Sequence, residues 1–205
     1  MSEIYYNSKL PVLALRGMAV FPDQTVHFDV GRVKSALALE RAMKDGQLLY
    51  LVPQKDIVVD DPGLKDLHPI GCVVRIKQLL RSTGENIRVL VTGLYRAKIT
   101  ELTQTEPFLA GNIESVQEAE QPDSLRSRAL RREANNLYGL YLDQVERPAQ
   151  SIQLKMLSSD SCGFIADSIG QNSGLDYNEK AKLLCQLNTV RRLEMAVRML
   201  RQEVQ

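Results

Sequence analysis

The chain has 205 residues, with Lys+Arg 26 against Asp+Glu 25, so a formal charge of +1 exerts no global pull on nucleic acid or anionic lipid. Its 44% hydrophobic and 25% charged residues are those of an ordinary globular protein, long enough for one or two domains that need no disulfide or metal staple. Three cysteines without a C-x-x-C pair, an N-terminus unlike a signal peptide, and no apolar run near the ~20 residues of a membrane span point to the cytoplasm.

In chain order, Leu10–Leu15 is an apolar strand-like run that leads through Arg16-Gly17-Met18-Ala19-Val20-Phe21-Pro22 to a second strand at Val26–Val30. A helical segment over Gly31–Met43 follows, with Val33, Ala36, Leu37, Leu39, Ala42 and Met43 as its apolar stripe and Gly46 available for a left-handed stop. Its first turn carries Arg32 and Lys34, where the helix dipole disfavours positive charge. They are either solvated side chains or the contact point for an acidic partner surface, such as another subunit.

Leu48–Val52 is a third strand. Ile70–Leu80 and Ile87–Thr100 form a hairpin through Ser82–Asn86, and Pro107–Val116 is a further strand. In the second hairpin strand Ile87, Val89, Val91, Tyr95, Ala97 and Ile99 share one parity, while Arg88, Thr92, Arg96 and Lys98 take the other. Gly93, on the apolar parity, marks a bend or a close backbone approach. Several strands with one inserted helix predict a small, partly closed barrel.

Near Gln117–Asp123 the composition shifts to Ala, Leu, Arg, Glu, Gln and Met at helical spacing, so residues 1–118 and 122–205 are expected to form two subdomains. Asp123 or Ser124 caps a helix through Tyr141, a short helix starts at Pro148, and another lies near Cys162–Ile169. Asp176-Tyr177-Asn178-Glu179 opens a helix through Leu187 that re-initiates at Asn188 or Thr189. From there Val190, Leu193, Val197, Leu200 and Val204 make a heptad seam that runs to Gln205 without a stop signal. Its distal end, with Leu200 and Val204, is expected to project and offer a subunit contact.

No pattern of catalysis is present. The chain lacks G-x-x-x-x-G-K-[ST], G-x-G-x-x-G and G-x-S-x-G. His27 and His68 lie on separate segments, Asp56, Asp60, Asp61 and Asp66 do not match an EF-hand loop, and Cys72 reads as a small core residue. Asp60-Asp61-Pro62-Gly63 is a polar turn. No metal site and no cofactor are expected.

The ordered series Leu10-Pro11-Val12-Leu13-Ala14-Leu15-Arg16, Val20-Phe21-Pro22, Val30-Gly31-Arg32, Ala38-Leu39-Glu40, Ile70-Gly71, Lys77-Gln78-Leu79-Leu80-Arg81 and Val89–Ala97 resembles the N-terminal domain of Lon proteases. The likeness continues more loosely through Ala166-Asp167-Ser168-Ile169, Leu183-Leu184 and Leu193. Ala14 and Asp23 stand where that family more often shows Pro and Gly.

The resemblance implies an α+β chain: a PUA-like β-pseudobarrel with one inserted helix, then a C-terminal helical bundle ending in a long helix. It implies a non-catalytic module that recognises unfolded or damaged polypeptides and contributes to a hexameric ATP-dependent serine protease. That enzyme's ATPase module, which uses ATP and Mg, and its Ser-Lys dyad lie downstream. The chain is then either an N-terminal piece of a bacterial Lon protease or a stand-alone protein of this type, and the uncapped seam favours the piece.

Met18, Val20 and Phe21, in a Gly- and Pro-punctuated loop, are the candidate substrate-binding residues, against the alternative that Phe21 plugs the barrel end. Arg32, Lys34, Leu200 and Val204 are the candidate subunit contacts. The second functional class is an RNA-binding barrel that uses Arg75, Lys77, Arg88, Arg96 and Lys98 as a basic face, with only 5% aromatics to stack bases.

Overall fold

The computed structural model describes residues 7–81, 86–145 and 150–205. The expected turn at residues 82–85 and helix start at Pro148 lie outside the described residues. The chain divides into two compact units, Met1–Val116 and Gln117–Gln205.

Among the described residues the first unit holds six strands and one α-helix, with a 3-10 turn at Leu64–Asp66: β1 (Asn7–Leu15), β2 (Thr25–Val30), α1 (Val33–Lys44), β3 (Leu48–Pro53), β4 (Gly71–Arg81), β5 (Ile87–Gln104) and β6 (Ala110–Ser115). The sheet order is β2-β5-β4-β3-β1-β6, and the long β5 pairs with β6 as well, so five strands close on themselves and β2 extends one side. β1 and β3 run parallel, Val12 opposite Tyr50 and Leu15 opposite Pro53, with α1 as the crossover between them.

That topology explains why Leu10–Leu15 and Leu49–Val52 read as continuous apolar runs. Strands covered on both faces have no polar side to alternate with. One core gathers Leu13, Leu15, Leu49, Leu51 and Val74 with Leu39 and Ala42 of α1. The other gathers Val12, Ala14, Tyr50, Val52, Val73 and Ile113.

β5 departs from simple alternation. Val73 pairs with Tyr95 but Val74 pairs with Gly93, leaving Leu94 as an extra residue. A single bulge inverts the parity beyond it. Arg96, expected on the solvent face, is therefore buried, its guanidinium 5.8 Å from the centroid of the Phe21 ring. Gly93 is where the backbone of the Arg16–Gln24 segment comes down on the sheet: a Cβ there would sit 2.1 Å from Phe21 O. Asp23 N–H donates to Gly93 O and Gly93 N–H to Gln24 O, so any side chain at 93 would push this turn away.

In α1 the buried face is Ser35, Ala38, Leu39 and Ala42. At 100° per residue Val33 falls roughly opposite that face, so it stands in solvent rather than in the stripe. Gly46, at φ 79, follows the helix end in the left-handed region.

The second unit is helical: α2 (Leu125–Leu142), α3 (Gln150–Leu157), α4 (Cys162–Asn172), α5 (Tyr177–Cys185) and α6 (Thr189–Glu203). Ser124, Ser161, Asp176 and Asn188 each accept a backbone N–H from the first turn of their helix, which satisfies donors that otherwise have no partner. α6 packs against both α2 and α4. Its buried positions are Thr189, Arg192, Leu193, Ala196, Val197, Met199 and Leu200, a stripe wider than a two-position heptad seam. Leu200 is inside the bundle, not on a projecting end, and Val204 caps the helix. The expected Leu200–Val204 contact surface is thus largely consumed within the unit.

Arg192 is the other surprise, at 1% exposure. Its Nη1 lies 2.5 Å from Glu118 Oε1 and donates to Gln186 O at 2.7 Å, and its Nε lies 3.1 Å from Asp167 Oδ1. A guanidinium can be held away from water only when carboxylates and carbonyls surround it. Ala119 completes the attachment by accepting from Thr189 N–H and donating to Leu187 O. Glu118, expected to close the barrel subdomain, therefore belongs to the bundle.

Candidate functional site

The expected peptide-contact loop does not present its large apolar residues. Phe21 is 0% exposed and Val20 is buried beside it, both in the first unit's core. Phe21 plugs the fold because the Gly93 approach draws its backbone against the sheet while Arg96 covers its ring. Met18 alone of the three is partly accessible.

Apolar surface that is open to solvent lies next to it at Val33, on the α1 side. A cleft of about 450 Å³ is floored by Val12, Ala14 and Leu109 and walled by Gly31–Ser35 of the α1 entrance and by Asp60–Pro62. The floor residues are close to fully buried by their neighbours, and Val33, at 74% exposure, stands on the helix rim. A smaller cleft of about 290 Å³, which includes Met18 and Phe28, shares Ala14, Arg16, Gly31, Arg32 and Ser35 with the first. Sequence reading missed Val33 because it was counted into the helix stripe. The available signal was its angular position.

Three cations ring this cleft. Arg16 Nη2 pairs with Asp60 Oδ1 at 2.9 Å. Lys34 Nζ sits 2.8 Å from Asp61 Oδ1 and 2.6 Å from Glu106 Oε1. Arg32 donates to two backbone carbonyls, Ala14 O at 2.6 Å and Asp60 O at 3.2 Å. Arg32 and Lys34 thus engage the chain's own Asp60–Asp61 turn, Ala14 O and Glu106. Hydrogen bonds to Asp61 and then to Glu106 hold the Lys34 pKa above its ordinary value, opposed by burial. Burial, and then the charge of Arg16, hold Arg32 below its ordinary value, partly offset by Asp60 and Asp61.

The turn that bears Asp60 and Asp61 is anchored from beneath. The buried Gln54 side chain donates to Asp56 O and Val59 O, and Asp56 Oδ1 accepts from Val58 N–H. Among the described residues no three His, Cys, Asp or Glu side chains come together as a metal site.

The basic hairpin face is broken up. Arg88 makes two hydrogen bonds to Asp29, Arg75 reaches Gly46 O, Lys98 lies 3.9 Å from Glu114, and Arg96 is buried, while Lys77 is exposed.

A family profile for the ATP-dependent protease La (LON) substrate-binding domain matches residues 9–202. The chain belongs to the Lon substrate-binding domain family. It is 35% identical over 199 residues to the Lon protease of Heliobacterium modesticaldum, covering 96% of this chain and 24% of that protein. It is 32% identical over 199 residues to the Lon protease of Clostridium acetobutylicum, covering 97% and 26%. The chain thus spans about a quarter of the length of these relatives. Among solved structures, the N-terminal domain of Mycobacterium avium complex Lon protease superposes with a TM-score of 0.75 at 22% identity, covering 95% of this chain and 98% of that one. The Xanthomonas campestris Lon N-terminal domain protein superposes at 0.64 and 17% identity, covering 93% and 98%. Both share the fold, strands followed by helices. No helix among the described residues is long and apolar enough to cross a membrane.

Proposed function

We propose that this chain is the polypeptide-recognition module of a cytoplasmic ATP-dependent Lon-type serine protease, and that the cleft between the α1 entrance and the Asp60–Pro62 turn takes apolar segments of unfolded proteins. The first unit is then a PUA-like pseudobarrel that carries the site, and the second is the helical bundle of the Lon N-terminal domain. Hydrolysis of ATP with Mg and peptide cleavage by a Ser-Lys dyad would belong to the longer protein, assembled as a hexamer.

The observation that carries the reading is the cleft itself, an apolar floor beneath a polar, ion-paired rim on a Lon-family fold. Apolar surface ringed by charge is the surface a protein ligand desolvates. One shallow site loses most of its contact energy to association entropy, so binding should be weak for one copy and strong when copies are linked, as in a hexamer.

The test is fluorescence anisotropy with a labelled, permanently unfolded protein such as reduced, carboxymethylated lactalbumin. Val33→Glu, a surface change, should fold normally and weaken binding about tenfold, because the acquired carboxylate must be desolvated in the complex. Met18→Ser should weaken it less. Binding by both variants equal to that of the parent chain would place the site elsewhere. For RNA binding the hairpin's arginines are paired or buried, which leaves mainly Lys77 and Lys98 on its face, and retention on single-stranded RNA is not expected.

A further inference from the structure

The rim of the cleft is asymmetric in a way that bears on which segments it takes, provided the cleft is the polypeptide site proposed above. The cations are inset and the carboxylates stand out: Lys34 is 28% exposed against 70% for Asp61 and 72% for Glu106, and Arg16 is 38% exposed against 91% for Asp60. The cationic side is fixed to the barrel, since Arg32 is hydrogen-bonded to Ala14 O of β1. The acidic side is a turn. Its root is fixed by the buried Gln54 through Asp56 O and Val59 O and by Arg32 at Asp60 O, whereas the side chains of Asp60 and Asp61 reach the barrel through the Arg16 and Lys34 ion pairs. Exposed ion pairs of this kind are individually weak and readily exchanged.

We propose that the Asp60–Asp61 tip is an internal competitor, an acidic latch that occupies the cations an incoming segment would use. The cleft's ligand is then a polypeptide segment in which apolar residues are joined to acidic ones. The apolar residues settle over Val12, Ala14 and Leu109 and beside Val33, while a Glu or Asp of the ligand replaces Asp60 or Asp61 on Arg16 and Lys34. Bound ligand and latch exchange one carboxylate for another, so recognition costs little charge desolvation and the cleft keeps its cations paired when empty. Purely basic segments would meet only the outward carboxylates, leave the inset cations unexchanged and gain less.

The experiment uses three labelled peptides with one apolar core, flanked by Glu, by Gln or by Lys, titrated with the parent chain and with four variants. Asp60→Asn/Asp61→Asn removes the competitor. It frees Arg16 and leaves Lys34 with Glu106 alone, so it should tighten the Glu peptide about fivefold, leave the Gln peptide nearly unchanged and weaken the Lys peptide. Glu101→Gln, a surface carboxylate outside the cleft, should change none of them. Lys34→Gln should erase the preference for Glu. Equal tightening of all three peptides by the double variant would make the turn a plain cover, and equal tightening by Glu101→Gln would make the effect one of net charge; either overturns the proposal. If the Gln peptide binds and Val33→Glu abolishes that binding while flanking charge has no effect, the cleft stands and the latch fails. If no peptide binds, or Val33→Glu is without effect, both fail.

Discussion

Each of the two units pins an irregular segment of chain, and they do so by opposite means. In the first, Arg16–Gln24 is held by shape: its backbone seats on the bare Cα of Gly93 and Phe21 fills the space beneath. In the second, Gln117–Ala119 is held by charge, with Glu118 drawn to a guanidinium that the bundle has removed from water. The first unit keeps the pairs of its α1 cleft at the surface, around an apolar floor. The lesson is that the same ion-pair chemistry becomes a fixed structural element when buried and an exchangeable latch when exposed.

Arg192→Ala should break the charged segment most severely. It removes the buried cation that lies against both Glu118 and Asp167, at a cost of about 3–5 kcal/mol. The second unit should lose its cooperative thermal transition, while the first unit's β signal in circular dichroism persists. Arg192→Met, which restores volume but not charge, should rescue little. Full rescue would mean that packing, not the ion cluster, holds the segment. Phe21→Ala is the matching test in the first unit. It deletes a 0%-exposed ring and should cost about 3–5 kcal/mol, read in urea unfolding.

These two residues also show how far the sequence could be read. Phe21 was legible as a plug or a contact, and only the depth of the Gly93 approach decides between them. The strands, the inserted helix and the caps at Ser124, Asp176 and Asn188 were legible because each has a local signature, period or cap, that survives without tertiary context. Arg192 and Arg96 were not. A buried arginine is spelled like an exposed one, and its partners Glu118 and Asp167 are remote in sequence. The cleft was hidden for the same reason, since it is assembled from β1, the α1 entrance, the Asp60 turn and Leu109. The α6 seam was read too narrowly because Thr189 and Arg192 do not look apolar and Ala196 and Met199 lie off a two-position heptad repeat.

An intermediate effect is expected at high pH. Burial, and then the neighbouring Tyr141, push the Tyr138 hydroxyl up to about 12 from an ordinary 10.0. The unfolded chain therefore ionises first. The contribution is complete below pH 10, declines between pH 10 and 12, and is lost as pH rises through the folded value. Base should thus loosen the bundle, and Tyr138→Phe should remove that part of the dependence. The readout is tyrosinate absorbance followed together with helix signal. Ionisation of all tyrosines near pH 10 with the helix signal intact would contradict the burial of this ring.

At the surface, Asp60→Asn and Asp61→Asn should each change stability by less than about 1 kcal/mol, since exposed pairs contribute little. Thermal midpoints within a few degrees of the parent would preserve the contrast with Arg192. A large loss would mean that the turn is built into the fold and cannot serve as a latch.

The smallest effect concerns the backbone of the first unit's pinned segment. Asp23 sits at φ 59, in the left-handed region, so that its N–H can reach Gly93 O at 3.0 Å. An ordinary L-residue there costs roughly 1–2 kcal/mol, less for Asp or Asn, whose short polar side chains tolerate the region. Asp23→Gly removes that strain but gives the unfolded chain more freedom to lose, about 0.5–1 kcal/mol, so the two terms nearly cancel. Asp23→Ala keeps the Cβ, loses the tolerance of Asp, and should be the less stable variant by about 1 kcal/mol. If the segment is held by shape, the order Gly at or above Asp, with Ala lowest, should appear in urea midpoints and should not change with salt. An order with Asp well above Gly that collapses in high salt would mean that charge pins this segment too, and the difference between the two units would vanish.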